Sequence, residues 1–556
     1  MNRFARLLDH LAYEPGRNNK LRLMIDYFRN VEDPDRGLAL AAMTGELTFP
    51  SAKPALVRAL IAERVDPVLF AMSHDYVGDL SETVALLWPA PAPGILARPA
   101  PSLSEVVEIL RATGKLDLPR QLAAWLDQLD ETGRWALLKL ITGALRIGVS
   151  ARLAKTAVAE LGGLKADEIE EVWHGVSPPY LDLFAWVEGR AGRPRSREAA
   201  PFRTPMLAHA VDETILATLA ERDYSVEWKW DGVRVQAVAG LGSEGRRAAR
   251  LYSRTGEDVS AAFPDLMDVL ADSSFGDSSL DGELLVVKEG RVQPFSILQQ
   301  RLNRKTVTAK LAADYPAHIR AYDLLTVDGE DVRALSFRER RTRLEGFVER
   351  MQTPRIDLSP LLQFSAWRDI AQARSNPSSA GAGLDAEAIE GVMLKRSDSP
   401  YLPGRPKGLW WKWKRDPFNV DAVLMYAQRG HGKRSSFYSD FTFGVWRAGE
   451  AGDELVPVGK AYFGFTDEEL TQLDRWVRNH TRNRFGPVRE VDFGRNEGLV
   501  LEIAFEGLNR STRHKSGLAM RFPRIARIRW DKPPHEADRL ETLEALVGLR
   551  ANSPVQ

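Results

Sequence analysis

Hydrophobic positions in the first 200 residues follow a helical period. Two segments place apolar residues at the i, i+3, i+4, i+7 spacing of an amphipathic helix. They are Leu21, Met24, Ile25 and Phe28 in the first segment, and Leu103, Val106, Val107 and Leu110 in the second. Ser102 or Ser104 is a candidate N-cap for the second helix, because a serine oxygen can accept a bond from an orphan backbone N–H. The pattern predicts a mainly helical region.

A longer apolar segment with helical period, from Ala136 to Leu161, carries basic side chains. They are Lys139, Arg146, Arg152 and Lys155. Taken alone, they indicate either a solvated face of a packed helix or a surface for an anionic partner.

Two other segments lack periodicity. The segment Pro89–Pro101 is rich in proline, which predicts a loop, and residues 189–205 are polar and basic, as in a linker between domains.

From about residue 206 to 416, short alternating runs replace the helical pattern. The alternation predicts strands, and they lie at 224–230, from 233 onward, and at 280–287, 320–327 and 390–395. A helical pattern from Phe337 to Arg350 lies between them. This mixture predicts an α+β domain with a largely antiparallel sheet.

A second β-rich segment runs from Asp421 to about Trp530. Its short strands, such as 421–426 and 499–504, are joined by glycine and charged turns, which favours a small barrel. The chain then returns to a helical pattern at Leu540, Leu543, Leu546 and Val547.

Composition narrows the classes of function. The 556 residues predict three or four domains, and 44% apolar with 27% charged residues is ordinary for a globular protein. No run of about 18 apolar residues predicts a membrane span, and the first 16 residues lack the apolar core of a secretory signal. The chain has no cysteine, which excludes disulfides, thiolate zinc sites and cysteine nucleophiles and fits a reducing cytoplasm. Lysine and arginine total 76 and so do aspartate and glutamate, so a nucleic-acid binder would have to segregate its charge locally.

The stretch from Tyr224 to Arg234 holds a candidate nucleophile. Side chains alternate across a strand, so Glu227 and Lys229 share one face and the apolar residues lie on the other. The following Asp-Gly pair is a hairpin-type turn signal, which predicts that the chain returns beside the same strand. A strand lysine can act as a nucleophile where its surroundings favour the neutral amine. This segment alone is equally consistent with a solvated lysine before a turn.

Other segments supply complementary chemistry. Glu283 and Glu390 each lie beside a predicted strand, where carboxylates could hold Mg²⁺ together with substrate phosphates. Lys412 and Lys414 alternate with tryptophans and so share one face, and Tyr322 could offer a purine its ring. Each of these, by itself, also fits an ordinary sheet residue.

Six short motifs occur in a fixed order along the chain. They are Lys-x-Asp-Gly-x-Arg at 229–234, Ser-Arg-x-Gly at 253–256, Asp-Gly-Glu at 281–283, Tyr-Asp-Leu at 322–324, Glu-Gly-Val-Met-x-Lys at 390–395 and Trp-x-Lys-x-Lys at 410–414. The ordered set resembles the covalent nucleotidyltransferases, which comprise DNA ligases, RNA ligases and mRNA capping enzymes. The Arg-Phe-Pro-Arg at 521–524 and the segment 527–532 resemble the C-terminal motif of ATP-dependent DNA ligases. The helical segment around 141–150 is similar to the helical DNA-binding domain of larger members, so the resemblance covers essentially the whole chain.

The resemblance implies a multidomain fold. An all-α DNA-binding domain would span residues 1–200, and an α+β adenylation domain with antiparallel sheets, of ATP-grasp-like nucleotidyltransferase type, would span 201–416. A β-barrel of the OB-fold type with a helical tail would span 417–556.

The resemblance also implies a reaction. Lys229 would attack the α-phosphate of ATP, the AMP donor, to form a lysyl-AMP phosphoramidate and release pyrophosphate. AMP would then pass to the 5′ phosphate of a nick in double-stranded DNA, and the 3′ hydroxyl would displace it. Glu283 and Glu390 match carboxylates that serve nucleotide and metal binding, with Mg²⁺ as the metal and Mn²⁺ as an alternative.

The remaining site residues are carried over from the matching motifs. Glu227 lies where the family contacts the base, and Tyr322 matches the aromatic residue that stacks on adenine. Arg234 and Arg254 match basic residues that contact nucleotide ribose and phosphate or the 5′ phosphate of the nick, and Arg405 lies where a second nucleotide-contacting arginine is usual. Lys412 and Lys414 match nucleotide-binding lysines, and as nearby cations they would disfavour a charged Lys229. Pro406 and Lys407 blur the match at Arg405. Arg527 and Lys532 match the motif that orients the departing pyrophosphate.

Binding that ignores sequence needs contacts with DNA phosphates rather than bases. The basic stretches Arg429–Arg434 and Arg510–Lys515 suit such contacts, as do Lys139, Arg146 and Arg152 in the helical region. The resemblance further implies a monomer, no membrane partner, a cytoplasmic location (at the nucleoid in a bacterium) and a part in DNA repair, replication or recombination.

Other readings fit less of the sequence. NAD-dependent ligases carry a four-cysteine zinc finger, and this chain has no cysteine. Capping enzymes and RNA ligases do not usually have a 200-residue helical domain in front, and capping is the enzymatic runner-up. A nucleic-acid-binding scaffold without activity is the alternative from another class, but it would not need Lys229, Glu283, Glu390, Lys412 and Lys414 together.

Overall fold

The computed structural model describes residues 1–551 apart from residues 50, 78, 90–98, 144, 174, 195–198, 243–244, 303, 305, 430–436, 450–451 and 512–513. The chain divides into two compact units. One contains Met1–Ile169, Ser177–Arg193 and Pro417–Gln556, and the other contains Glu170–Val176 and Pro194–Asp416. Within the described residues, no helix is both long and apolar enough to cross a membrane.

The N-terminal region is helical, as the periodicity predicts. Its helices are α1 (Asn2–Tyr13), α2 (Arg17–Asn30), α3 (Asp35–Thr44), α4 (Pro54–Ala62), α5 (Pro67–Val77), α6 (Leu80–Leu87), α7 (Leu103–Ala112), α8 (Leu118–Gln128), α9 (Glu131–Thr142), α10 (Ala151–Leu161), α11 (Ala166–Trp173) and α12 (Leu181–Val187). Both predicted amphipathic patterns lie in helices, α2 and α7. Of the two candidate caps, Ser102 caps α7, because its Oγ accepts the backbone N–H of Glu105 at 3.0 Å. Most of the proline-rich segment and part of the linker fall on residues 90–98 and 195–198, outside the described residues.

The basic segment 136–161 forms two separate helices, and its basic side chains differ in exposure. Helix α9 ends before Gly143, whose φ of 72° suits a residue without a side chain, and α10 begins after the cap Ser150. Lys139 is buried and its Nζ lies 2.6 Å from Oδ2 of Asp79. Lys139 therefore belongs to neither a solvated face nor a surface for DNA, whereas Arg146 and Arg152 are exposed.

Two sheets make up most of the second unit. Their strands are β1 (His209–Ala210), β2 (Tyr224–Trp230), β3 (Val233–Leu241), β4 (Arg247–Ser253), β5 (Ser278–Lys288), β6 (Arg291–Val292), β7 (Ala317–Val327), β8 (Glu330–Asp331), β9 (Ile356–Leu358), β10 (Leu361–Leu362), β11 (Ile389–Arg396) and β12 (Trp410–Lys414). The five-stranded sheet has the order β1-β12-β11-β2-β10. The seven-stranded sheet has the order β4-β3-β5-β7-β8, and in addition β6 pairs with β5 and β9 pairs with β7. The pairings are antiparallel except β1 with β12 and β7 with β9, so the predicted antiparallel α+β character is confirmed.

Helices cover these sheets and close their cores. They are α13 (Glu213–Leu216), α14 (Pro264–Ala271), α15 (Phe295–Leu298), α16 (Ala309–Asp314), α17 (Phe337–Met351) and α18 (Trp367–Ser375). Helix α17 matches the predicted helix at Phe337–Arg350 and begins with a capping box between Ser336 and Glu339. The core of the seven-stranded sheet packs apolar residues of β3, β5 and β7 against α14 and α17. Four tryptophans lie in a separate core on the five-stranded sheet: Trp228 and Trp230 of β2, and Trp411 and Trp413 of β12.

The C-terminal region is built on β-strands. They are β13 (Phe418–Arg429), β14 (Tyr438–Gly449), β15 (Gly452–Ala461), β16 (Thr481–Phe485), β17 (Val488–Val491), β18 (Val500–Phe505), β19 (Gly507–Arg510), β20 (Leu518–Arg521) and β21 (Arg524–Arg529), with helices α19 (Asp467–Asn479) and α20 (Leu540–Ala551). The long strand β13 pairs with β18 through its first half and with β14 and β17 through its second. One strand thus holds three neighbours, as in a strongly coiled sheet. The predicted strands at 421–426 and 499–504 and the helical tail are confirmed.

Candidate active site

Strand β2 presents Lys229 as the alternation predicts. Val226, Trp228 and Trp230 pack into the core of the five-stranded sheet. Glu227 and Lys229 therefore point to the opposite side, where Lys229 is about one-fifth exposed. A buried row of large apolar side chains fixes the strand, and with it the direction of the lysine.

The predicted hairpin after Lys229 is wrong. Strand β2 pairs with β10 and β11, and strand β3 pairs with β4 and β5, so the Asp231-Gly232 turn carries the chain from one sheet to the other. The N–H of Asp231 bonds the carbonyl of Ala388 at 2.7 Å, which holds the turn against the start of β11. The turn therefore joins the two sheets and does not return Arg234 to the strand of Lys229.

Lys229 lies in an ion-paired row with Glu390 and Lys414. Strand β11 runs between β2 and β12, and Gly391 is the ladder partner of both lysines. Lys229 Nζ donates a hydrogen bond to Oε1 of Glu390, and Lys414 Nζ lies 3.2 Å from Oε2. Burial alone would raise the pKa of Glu390, but the two lysines outweigh it and leave the pKa lowered. Glu390 is thus an ionised carboxylate between two lysine side chains.

Glu283 reaches the same cluster from the other sheet. It lies on β5 opposite Arg234 of β3. Burial raises its pKa to about 8, and the charge of Glu390 adds to the shift while Lys229 opposes it. Glu283 thus lies close enough to Lys229 and Glu390 for their charges to shift its pKa, so the structure places these three predicted residues in one cluster.

Arg234 is anchored by groups that were not predicted as site residues. Its guanidinium donates to Oδ2 of Asp281 at 2.5 Å, to the hydroxyl of Tyr401 at 3.1 Å and to the carbonyl of Met206 at 2.6 Å. Tyr401 also donates to Asp281 at 2.5 Å. Asp281 could have been identified from its place at the head of the Asp-Gly-Glu motif, whereas no sequence pattern marks Tyr401.

Glu227 has a buried cation as partner. Lys395 Nζ lies 2.5 Å from Oε1 of Glu227, and it is enclosed by aromatic rings at 4.5 to 4.9 Å: Tyr322, Phe337 and Trp410. The other oxygen, Oε2, is buried with no hydrogen-bond partner in the part of the chain that the structure describes. Burial raises the pKa of Glu227 and lowers that of Lys395, and each charge opposes the shift of the other. Lys395 ends the Glu-Gly-Val-Met-x-Lys motif, so the sequence contained a signal for it.

Other predicted residues lie in three places. Lys412 lies on β12 two residues before Lys414, next to β11, and burial and the charges of Lys229, Lys414 and Arg405 lower its pKa. Arg254 lies in the exposed turn after β4, and none of the described contacts of the cluster involves it. In the other unit, Lys532 Nζ lies 2.8 Å from Oδ2 of Asp421, and Arg527 lies on β21 opposite Glu502.

The predicted basic stretches on the C-terminal region are only partly described. Residues 430–434 and 512–513 lie outside the described residues. Arg510 at the end of β19 and Lys515 lie within the described part, and both are exposed.

The carboxylates fit a hard divalent cation held with phosphates. Among the described residues, no group of three or more His, Asp or Glu side chains is arranged to hold a metal by itself. The charge of Glu390 adds to the raised pKa of Glu283, and a cation bound beside Glu283 would favour its ionised form. Mg²⁺ is commonly bound by one or two carboxylates plus substrate phosphates.

The chain is similar to known DNA ligases along most of its length. A family model described as ATP dependent DNA ligase domain matches residues 205–414, and one described as ATP dependent DNA ligase C terminal region matches residues 434–532. A probable DNA ligase of Koribacter versatilis is 34% identical over 425 residues, which cover 74% of this chain and 71% of the relative. DNA ligase 1 of Korarchaeum cryptofilum is 29% identical over 564 residues and 98% of each chain. The solved structure Pmar-Lig_PreS3 has a TM-score of 0.57 at 14% identity and covers 95% of this chain and 99% of its own, which is a likeness of fold.

Proposed function

The chain belongs to the ATP-dependent DNA ligases, and we propose that it seals nicks in duplex DNA through an AMP adduct on Lys229. The observation that carries the proposal is the row Lys229, Glu390 and Lys414, with Glu283 facing it from the second sheet. A lysine amine, two carboxylates and further cations at one place suit the transfer of AMP from ATP to an amine.

In the first step, the neutral amine of Lys229 attacks the α-phosphorus of ATP. The N–P bond forms while the bond to the pyrophosphate oxygen breaks, and pyrophosphate leaves. Glu390 already accepts a hydrogen bond from Lys229 Nζ, so it orients the amine, and the proton that the nitrogen loses passes to solvent. Lys412 and Lys414 offset the negative charge of the phosphates.

Glu283 and Glu390 would hold Mg²⁺ (or Mn²⁺) beside the phosphates, and the metal would offset the charge that develops on them. Two carboxylates of the chain, with phosphate oxygens, form a suitable donor set.

The base would be recognised at Glu227. Its Oε2 is a buried acceptor whose partner is lacking within the described residues, and the exocyclic amine of adenine is a donor that could satisfy it. Tyr322 lies beside this pair and would stack on the purine. Guanine carries an acceptor at the equivalent position, so this pocket favours ATP over GTP.

Two further steps complete the proposed reaction. AMP passes from Lys229 to the 5′ phosphate of the nick, with Arg234, Arg254 and Arg405 as proposed contacts to nucleotide or nick phosphate. The 3′ hydroxyl then attacks that phosphate, the phosphodiester bond forms and AMP leaves. Arg527 and Lys532 would act in the first step by orienting the departing pyrophosphate.

The proposed domains are a helical DNA-binding domain at 1–200, an adenylation domain of ATP-grasp-like type at 201–416, and an OB-fold domain with its helical tail at 417–556. The sharing of β13 among three neighbouring strands supports the barrel. We further propose that the protein acts as a monomer in the cytoplasm, in repair, replication or recombination of DNA.

Labelling tests the proposed chemistry directly. Incubation with α-labelled ATP and Mg²⁺ should place the label on the wild-type protein, and Lys229→Ala should abolish it. Lys407→Ala is a matched control, because Lys407 is an exposed lysine of the same unit. The labelled protein should then seal a singly nicked duplex without further ATP. Labelling from GTP or NAD in place of ATP would contradict the proposal. Capping of a 5′ diphosphate RNA without nick sealing would favour the hypothesis of a capping enzyme.

A further inference from the structure

The proposed site is divided between two sheets. Lys229, Glu390 and Lys414 lie on the five-stranded sheet, while Glu283 lies on the seven-stranded sheet. The reacting geometry therefore depends on what holds one sheet against the other. The short turn at Asp231 is one covalent link, and side-chain contacts must supply the rest.

Arg320 makes such a contact from the strand next to Glu283. It lies on β7 and is the ladder partner of Glu283 on β5. Its guanidinium carbon lies 4.3 Å from the ring centroid of Trp230, the residue that follows Lys229 on the other sheet. The ring of Trp230 is itself fixed, because its Nε1 donates to Oγ of Ser359 at 3.0 Å. A planar cation stacked on this ring ties the end of the Lys229 strand to the Glu283 sheet.

The same guanidinium binds two carboxylates on different segments. Its Nη2 donates to Oδ2 of Asp357 on β9 at 2.8 Å, and its Nε donates to Oδ1 of the same carboxylate at 3.0 Å. Its Nη1 donates to Oδ2 of Asp385 at 3.1 Å. Asp385 lies in the segment that leads directly into β11 and Glu390, and its Oδ1 also accepts the N–H of Val292 at 2.9 Å. Arg320 is only 12% exposed. Burial alone would lower its pKa, but the bonds with Asp357 and Asp385 outweigh it and leave the pKa raised, so the cation persists.

We propose that Arg320 is a positioning residue for the transfer of AMP to Lys229. It fixes Glu283 relative to Lys229 through Trp230, and relative to Glu390 through Asp385. The inference rests on the proposed function of Lys229. None of the described contacts of Arg320 involves the side chains of Lys229, Glu283 or Glu390, so it acts through its neighbours. A lysine could replace the charge but neither the fork that binds Asp357 with two bonds nor the stacking plane.

Loss of Arg320 should therefore lower the rate of AMP transfer to Lys229 without weakening the binding of ATP. The guanidinium is occupied by protein groups, so its loss should leave the contacts with ATP in place. The distance between the amine, the α-phosphate and the carboxylates should change, and small misplacements of reacting groups lower rates strongly.

Single-turnover labelling with α-labelled ATP tests this, with rates normalised to folded protein. Arg320→Met should lower the maximal rate of label transfer about 10-fold or more, with the ATP concentration for half-maximal rate changed less than about 3-fold. Asp385→Asn is a milder variant that keeps Arg320 and Asp357, and it should lower the rate in the same sense. Arg320→Lys should fall between wild type and Arg320→Met.

Arg301→Met is the matched control for a purely structural effect. Arg301 is also buried, donates to both oxygens of Asp265 at 2.6 and 3.0 Å and lies 4.9 Å from the ring centroid of Phe263. Its loss should lower stability and leave the rate per folded molecule unchanged. A wild-type rate in Arg320→Met or Asp385→Asn, or an equal loss in Arg301→Met, would overturn the inference. An unlabelled wild-type protein would overturn the proposed function, and the inference with it.

Discussion

Lys395 and Glu227 form an ion pair that is almost completely withdrawn from water, with side chains 1% and 2% exposed and 2.5 Å between Nζ and Oε1. The pair joins β11 to β2, the strand of the proposed nucleophile, because the two strands are ladder neighbours. Lys395 Nζ also donates to the carbonyl of Tyr322 at 3.0 Å. One buried cation thereby connects the strand of Lys229 with the ring proposed to stack on adenine.

Removal of Lys395 should destabilise the protein strongly. Lys395→Met leaves Glu227 buried without its cation, and breaking a buried ion pair from one side costs about 3–5 kcal/mol. Chemical denaturation should report this loss, and the double variant with Glu227→Gln should recover part of it. Lys407→Met, at an exposed lysine, is the control and should change stability by less than about 0.5 kcal/mol. A loss below about 1 kcal/mol in Lys395→Met would contradict the interpretation.

Gly232 should tolerate no side chain. A Cβ on Gly232 would come within 2.6 Å of the carbonyl oxygen of Leu284 and within 2.7 Å of Cγ of Glu283. Because the backbone oxygen cannot move away freely, Gly232→Ala should cost about 1–3 kcal/mol and displace Glu283, with slower labelling from ATP. Thermal unfolding and single-turnover labelling measure the two effects. Gly346→Ala, within α17 and with nothing within 4 Å, should instead stabilise by about 0.5–1 kcal/mol. Equal effects at both glycines would show that crowding at Glu283 is not the cause.

Most of the secondary structure could be predicted from the sequence, and so could the side of β2 on which Lys229 lies. The strands at 224–230, 280–287, 320–327 and 390–395 alternate clearly because one face of each packs on a core, and the structure contains all four. Their alternation also identified the face on which Lys229 lies.

What could not be predicted depends on pairing between distant segments. The Asp231-Gly232 signal predicts a tight turn, but not whether the next strand returns to the same sheet, and here it enters another. Tyr401 reaches Asp281 across 120 residues of sequence. Lys139 carries the same charge as Arg152, yet only its packing against Asp79 shows that it is buried.

Glu283 should make stability depend on pH between about 4.5 and 8. Its pKa is raised in the folded state, so the folded protein binds the proton more tightly than the unfolded chain. This contribution to stability is fully present below the unfolded pKa and is lost as pH rises toward about 8. Thermal unfolding across this range should show the wild type losing stability relative to Glu283→Gln, whose amide does not titrate. An equal dependence on pH in both proteins would contradict the raised pKa. Mg²⁺ with ATP should oppose the effect, since added positive charge favours the carboxylate.

Two basic residues of the helical region should affect DNA binding differently. Arg152 on α10 is half exposed and lies 3.0 Å from Asp167, whereas Lys139 on α9 is 6% exposed and lies 2.6 Å from Asp79. Asp79 depends on that cation, because burial alone would raise its pKa and the bond from Lys139 helps to leave it lowered.

Arg152→Ala should therefore weaken binding to nicked duplex and reduce the slope of log affinity against log salt by about 1, as expected for one lost phosphate contact. Its stability should change by less than about 0.5 kcal/mol. Lys139→Met should leave the salt slope unchanged and lower stability, since Asp79 loses its partner and also caps α6 through the N–H of Glu82. Fluorescence anisotropy at several salt concentrations, together with denaturation of each variant, separates the two effects. A reduced slope in Lys139→Met would mean that this lysine reaches DNA despite its burial.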